Sequence, residues 1–163
     1  MLIPMVIAAI VTHSSTETPV VILKEVDGEE MLPVWIGLPE AEAIVSELKG
    51  MRFSRPMTHD LLKNILELIH VKVVRVEICD LKSNTYFALI RLRYGEKEIS
   101  IDARPSDAMA LSARMNAPIF VADAVIRKSR QTELQDYNDG ESEQTKKWKE
   151  ILENMNPDDF GNT

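Results

Sequence analysis

The residues best suited to chemistry lie in one short run, Ile99-Ser100-Ile101-Asp102-Ala103-Arg104-Pro105-Ser106-Asp107-Ala108. Two carboxylates and a guanidinium fall together there. Carboxylates can hold a divalent metal ion, Mg²⁺ or Mn²⁺, that activates water and neutralises phosphate charge. A guanidinium can clamp a phosphate through two parallel hydrogen bonds. Asp102 and Asp107 are therefore candidate catalytic residues and metal ligands, and Arg104 a candidate catalytic clamp. His59 supplies an imidazole, the side chain suited to proton transfer near neutral pH. Asp60 beside it is a further catalytic candidate, and either it or Glu40 could complete an oxygen set. Arg114 follows Asp107 by seven residues, on the same helical face. Arg114 and Arg55 are candidate substrate-binding cations.

Each of these residues also has an ordinary structural role. Glu40, Asp60 and Asp107 are acids in the first turn of expected helices, where dipole and capping interactions contribute about 0.3–1 kcal/mol each. Arg104 could pair with Asp102 or Asp107 and nothing else. His59 could be a surface or packing residue. Arg75, Arg91 and Arg93 are expected to pair across strands with Glu77, Glu96 and Glu98. His13 and His70 have no partner spacing, and no His/Cys cluster suggests zinc.

The elements that must position these groups follow from periodicity. Residues 3–11, 19–26, 31–36, 71–79, 84–94 and 97–102 read as strands, and Pro118 to Val121 as a short last one. Ile99 and Ile101 alternate with Ser100 and Asp102, so one face of that strand is expected to be buried. Trp35 is expected in the core and Cys79 as a buried structural thiol. Asp27-Gly28 marks a hairpin. Pro39 opens a helix with Ala41, Ile44, Val45 and Leu48 on one face, closed at Gly50. Thr58 is an expected N-cap. It precedes the broad apolar stripe Leu61, Leu62, Ile65, Leu66, Leu68 and Ile69, which predicts a well-buried helix. Pro105 opens another helix, to about Met115, and Asp123 caps one further turn. Gln131 to Gln144 reads as a polar, acidic linker. Trp148, Ile151, Leu152 and Met155 place an apolar stripe on a C-terminal helix that needs a partner surface.

Three strands and a proline-led helix occur twice. Aligning Pro39 with Pro105 sets Ile36 against Asp102, Leu38 against Arg104 and Ala41 against Asp107. On that alignment the first copy is apolar where the second is charged, which argues that the charges serve something besides folding.

The chain has 163 residues, 45% hydrophobic and 28% charged, as in an ordinary α+β globular protein. The expected architecture is a mixed β-sheet with packed helices, two βββα halves and an extra C-terminal helix. Residues 1–130 form the domain, and 131–163 form the acidic linker and tail. Of 26 acidic and 19 basic residues, nine and three fall within 131–163, leaving 17 and 16 in residues 1–130, a net charge of −1. Such a body has no bulk attraction for nucleic acid, so any binding must rest on a local patch. A single cysteine fits a reducing compartment. Leu2 to Val11 is apolar but short and interrupted by Pro4, so neither a signal peptide nor a membrane span is expected, and the location is expected to be cytoplasmic.

Four local patterns resemble the bifunctional nuclease family of bacteria and plants. They are Leu32-Pro33-Val34-Trp35-Ile36-Gly37 with Glu40-Ala41; Arg55-Pro56-Met57-Thr58-His59-Asp60-Leu61-Leu62; Ile101-Asp102-Ala103-Arg104-Pro105-Ser106-Asp107-Ala108; and Trp148 with Pro157-Asp158-Asp159-Phe160. The resemblance implies an α+β fold and hydrolysis of phosphodiester bonds in RNA and DNA. Metal assistance is expected from the chemistry of the acids. Two alternatives stay open: a non-catalytic anion- or ligand-binding module, and an oligomeric interaction protein. The tail helix and the sheet edges predict a homo-oligomer, with a dimer as the expected state.

Overall fold

Alternating apolar side chains, punctuated by tight turns, build a seven-stranded mixed sheet. The structure is a computed structural model and describes residues 1–12 and 17–138. In chain order the elements are β1 (Leu2–Thr12), β2 (Pro19–Glu25), β3 (Met31–Trp35), α1 (Leu38–Leu48), α2 (Thr58–Leu68), β4 (Val71–Lys82), β5 (Thr85–Tyr94), β6 (Lys97–Ala103), α3 (Pro105–Met115), β7 (Ile119–Ala122) and α4 (Asp123–Asn138). Ser83 and Asn84, both at positive φ (47° and 60°), form the two-residue loop between β4 and β5. His13, the expected linker from residue 139 and the expected tail helix lie outside the described residues.

The strand order is β3-β2-β1-β7-β4-β5-β6. Two antiparallel meanders, β1-β2-β3 and β4-β5-β6, stand back to back. The short β7 joins them, antiparallel to β1 and parallel to β4. Each meander is followed by a helix of 11 residues, α1 or α3. The two βββα halves of the sequence are therefore visible as two halves of one sheet.

The buried side chains of all four helices join one core cluster, with Val21, Leu23, Val76, Ile78, Ile90 and Leu92 from the sheet. The helices thus cover one face. Near the first edge the other face carries a small cluster of Val20 and Ile22, with Trp35 half-buried against it. Further along it, Glu77 is nearly fully buried between Arg75 (2.6 Å) and Arg91 (2.9 Å), and Arg93 meets Glu98 at 2.8 Å. Arg91 and Arg93 pair across strands as expected, whereas Arg75 meets Glu77 along its own strand β4. Burial pushes the Glu77 carboxyl up, and the two guanidinium groups outweigh it and hold it below the usual range.

Several expectations need correction. The helix at 58–68 is not well buried. Only Leu66 is covered, and Leu61, Leu62, Ile65, Leu68 and Ile69 are exposed. The helix lies at the rim, against α3 and the start of β4, so its stripe is wider than the surface available to cover it. Its N-cap is Met57, with Thr58 as the first helical residue. Ile99 and Ile101 are exposed as well, because β6 is an edge strand that no helix overlies fully. The turn expected at Asp123 is instead the start of a 16-residue helix, which crosses the boundary expected at residue 130 and takes in the first part of the expected linker. Tyr86 hydroxyl to Ser129 (3.1 Å) and Lys128 to Asp80 anchor its start. Cys79 is half-buried, and loss of hydration pushes its thiol up, away from the reactive thiolate.

Candidate functional site: a junction of three helix starts

Helices α1, α2 and α3 each carry an acid as their third residue: Glu40, Asp60 and Asp107. A carboxylate there lies in the field of the unpaired N–H groups at the helix start. The fold brings these three starts together and ties them with side chains. Arg104, the N-cap of α3, donates Nε to Asp107 Oδ2 (2.7 Å) and Nη2 to Asp107 Oδ1 (3.1 Å). Its Nη1 reaches across to Glu40 Oε1 of α1 at 2.9 Å. From α2, His59 Nε2 lies 2.9 Å from Asp107 Oδ1. A guanidinium, a carboxylate and an imidazole are thus joined in a row. The Arg104 side chain is 63% exposed, and three of its five N–H groups are used, so two remain for a ligand.

Asp107 feels opposing influences. Partial burial pushes its carboxyl up, and the hydrogen bonds from Arg104 and His59 outweigh that and hold it below the usual range. The paired acids hold the Arg104 guanidinium more firmly protonated than usual.

Two helical turns after Asp107, Arg114 does a different job. Its side chain is 3% exposed. Nε donates to Asp60 Oδ1 (2.7 Å), and Nη1 donates to the carbonyls of Ala43 (2.8 Å) and Ala110 (3.0 Å). Asp60 accepts the Met57 N–H on its other oxygen at 2.9 Å. The bond from Arg114 is the main reason that the Asp60 carboxyl is held low. Arg114 and Asp60 therefore bind the three helices to one another, and both oxygens of Asp60 are committed to that task.

Asp102 does not join this row. Residues paired across an antiparallel ladder share a face. Asp102 is opposite Leu89, which is opposite Glu77, so Asp102 belongs with Glu77 and Arg91 to the face of the sheet turned away from the helices. The alternation of β6 carries it away from the helix side that holds His59. Asp107, for its part, already has both oxygens engaged. A divalent ion shared by Asp102 and Asp107 does not fit this arrangement, and among the described residues no three His, Cys, Asp or Glu side chains are grouped to hold a metal.

Beside the junction opens a cleft of about 270 Å³, walled by the loop 51–57 and the first turns of α2. Asp60 and Arg114 form its inner side, and Arg55 lines it, so the two expected substrate-binding arginines do meet one cavity. Arg52, Phe53, Lys63 and Asn64 line it too. Sequence reading did not single out Phe53 or Lys63. Nothing in a seven-residue loop announces that it folds against the next helix.

The fold and site together describe a duplicated α+β domain with an acid–imidazole–guanidinium row at the seam of its helices. A family model described as the bifunctional nuclease domain matches residues 21–133, and the chain belongs to that family. It is 35% identical over 148 residues to an uncharacterised protein of Mycobacterium tuberculosis strain H37Rv, covering 87% of this chain and 88% of that one. It is 28% identical over 105 residues to bifunctional nuclease 1 of Oryza sativa subsp. indica, covering 62% of this chain and 32% of that one. Bifunctional nuclease 2 of Arabidopsis thaliana is 27% identical over 105 residues, with the same coverage, 62% and 32%. The chain thus spans about a third of these plant proteins. No described helix is long and apolar enough to cross a membrane.

Proposed function

We propose that this protein is a nuclease that hydrolyses phosphodiester bonds of RNA and DNA. The observation that carries the reading is the row of His59, Asp107 and Arg104 beside a cationic cleft. In the proposed reaction the two spare N–H groups of Arg104 bind a non-bridging phosphate oxygen and stabilise charge as it builds. Asp107 holds the imidazole of His59 through Nε2. Nδ1 is then the nitrogen that takes a proton from attacking water or gives one to the leaving oxygen. Water adds to phosphorus, the bond from phosphorus to the leaving oxygen breaks, and the proton ends on that oxygen. Asp60 and Arg114 position α2, and Asp102 is assigned no step. Because a divalent ion does not fit Asp102 with Asp107, no step is routed through one.

A second reading, a non-catalytic anion-binding module, is favoured by one observation: Arg104 already clasps acids of both halves, as a purely structural ion pair would. Cleavage of labelled RNA and DNA oligonucleotides by the purified chain separates the two. It is measured in EDTA, Mg²⁺ and Mn²⁺, beside a His59→Gln chain of unchanged circular dichroism. The nuclease reading expects a fall of about 100-fold or more in His59→Gln. Equal rates in the two chains, or no cleavage by either, overturn it.

The same reading includes a homodimer. A second copy would cover the exposed flank of α2 and extend the sheet at β6, the outer edge of which has no strand neighbour among the described residues. An uncharged stripe such as Leu61-Ile65-Leu68 is complementary to itself across a two-fold axis. Ile65→Lys should convert the dimer to monomer in light scattering, and an unchanged mass excludes this face.

A further inference from the structure

We infer that the cleft between the loop 51–57 and α2 binds a single strand of nucleic acid, with one unstacked base lying on Phe53 and its phosphates on Arg52, Arg55 and Lys63. The inference rests on the nuclease reading for the identity of the ligand and adds what form of substrate reaches the site. Four observations carry it. The body of the protein is almost neutral, so binding requires a local patch, and this cleft gathers four cations, three of them open to ligand. Arg55 has no ion-pair partner among the described residues. The ion pairs of Arg52 and Lys63 are long, 3.5 Å to Glu47, which also lines the cleft, and 3.9 Å to Glu67, and a phosphate can outcompete them. Arg52 further donates to the Met51 carbonyl at 3.3 Å. The fourth cation, Arg114, is consumed within the fold and cancels Asp60, so that acid does not repel an incoming phosphate.

Phe53 decides the class of ligand. Phe53 is 49% exposed on the cleft loop, so about half of its surface is open to a ligand. A base has a free face for stacking only when it is out of a duplex. The cavity, about 270 Å³, is small beside a double helix. An acidic peptide could meet the cations but offers no planar face to Phe53. Asp60, which lines the cleft, is the chain neighbour of His59 in α2, so the cleft and the row lie at the same helix start.

The test measures binding apart from cleavage. Fluorescence anisotropy of fluorescein-labelled (dT)₁₀ and of a 20-base-pair duplex is recorded with the full chain carrying His59→Gln, which keeps the oligonucleotide intact. Phe53→Ala should weaken (dT)₁₀ binding by about 5- to 100-fold, leave duplex binding unchanged, and be rescued by Phe53→Trp. Arg55→Ala should lower the slope of log affinity against log salt by about 0.7 for (dT)₁₀. Equal affinity for duplex and single strand, or a Phe53→Ala chain that binds (dT)₁₀ normally, overturns the inference. Binding that depends on Phe53 in a chain that never cleaves leaves this inference standing and removes the nuclease reading. Cleavage that persists with no dependence on Phe53 or Arg55 does the reverse.

Discussion

The two strand-to-helix corners of this protein share a backbone course and an acid in the first turn, and they differ in the residue at the helix cap. Gly37 and Arg104 are the N-caps of α1 and α3, with φ, ψ of −77°, 163° and −69°, 145°. Each carbonyl accepts the first helical bond, from Ala41 N–H (2.9 Å) and Ala108 N–H (3.0 Å). Each helix places an acid three residues after its cap, Glu40 or Asp107. At the first corner the Glu40 carboxylate folds back over Gly37, where a β-carbon would stand 2.2 Å from Oε2. At the second, an arginine replaces the glycine and takes both acids at once. The two halves thus present two negative helix starts, and the arginine at the second cap places a cation between them. The symmetry of the fold is thus broken in charge at a point where the backbone tolerates it.

The largest expected effect comes from restoring the symmetry. Arg104→Gly gives the second cap the residue of the first and leaves Asp107 and Glu40 without their common partner. Cleavage should fall by roughly 100- to 1,000-fold, the loss seen when one preorganised donor to a transition state is removed. Because Arg104 is mostly exposed, the fold should survive, with a melting temperature only a few degrees lower. Asp107→Asn should act next. It keeps the shape and removes the charge that orients His59, and cleavage should fall about 10- to 100-fold. It also changes the response to acid. The Asp107 carboxyl is held below its ordinary value in the folded chain, so its stabilising effect is complete above about pH 4 and is lost as pH falls further. Denaturation midpoints between pH 5 and pH 2 should therefore decline less steeply in Asp107→Asn than in the unmodified chain. Parallel curves would show that Asp107 is not the group responsible.

Much of this was legible in the chain. The strands, the two proline-led helices and the duplication follow from period and turn residues, and Glu40, Asp60 and Asp107 were visible as acids of first turns. The alignment was wrong by one residue. Pro105 is the first residue of α3, whereas Pro39 is the second of α1. Matching the helix caps instead pairs Glu40 with Asp107 and Gly37 with Arg104. Proline is accepted at either position, because neither N–H has an intrahelical partner, so a proline alone cannot set the register. Asp102 was misplaced for a related reason. Nearness in sequence brought it to Asp107, but strand alternation sends it to the other face. The bonds of His59 to Asp107 and of Arg114 to Asp60 span 48 and 54 residues, and no local pattern encodes such distances.

The smallest effects sharpen the comparison from the first corner. Glu40→Gln removes a charge from a surface-exposed pair and should cost at most about 1 kcal/mol in urea denaturation. Its effect on cleavage tells whether Arg104 is shared or owned. If Arg104 serves the row with His59 and Asp107, releasing it from Glu40 should leave the cleavage rate within about threefold of the unmodified chain. A loss as large as that of Asp107→Asn would mean that the clasp between halves, rather than the row, positions the guanidinium. Gly37→Ala asks the same question more gently. The added methyl must push the Glu40 carboxylate aside, and φ at Gly37 is one that alanine adopts without strain. The displaced carboxylate can no longer meet Arg104 at its present distance. Gly37→Ala should therefore match Glu40→Gln in cleavage and lie within about 0.5 kcal/mol of the unmodified chain in stability. If the two substitutions differ in cleavage, the first corner contributes more than its carboxylate, and the two corners are less alike than their backbones.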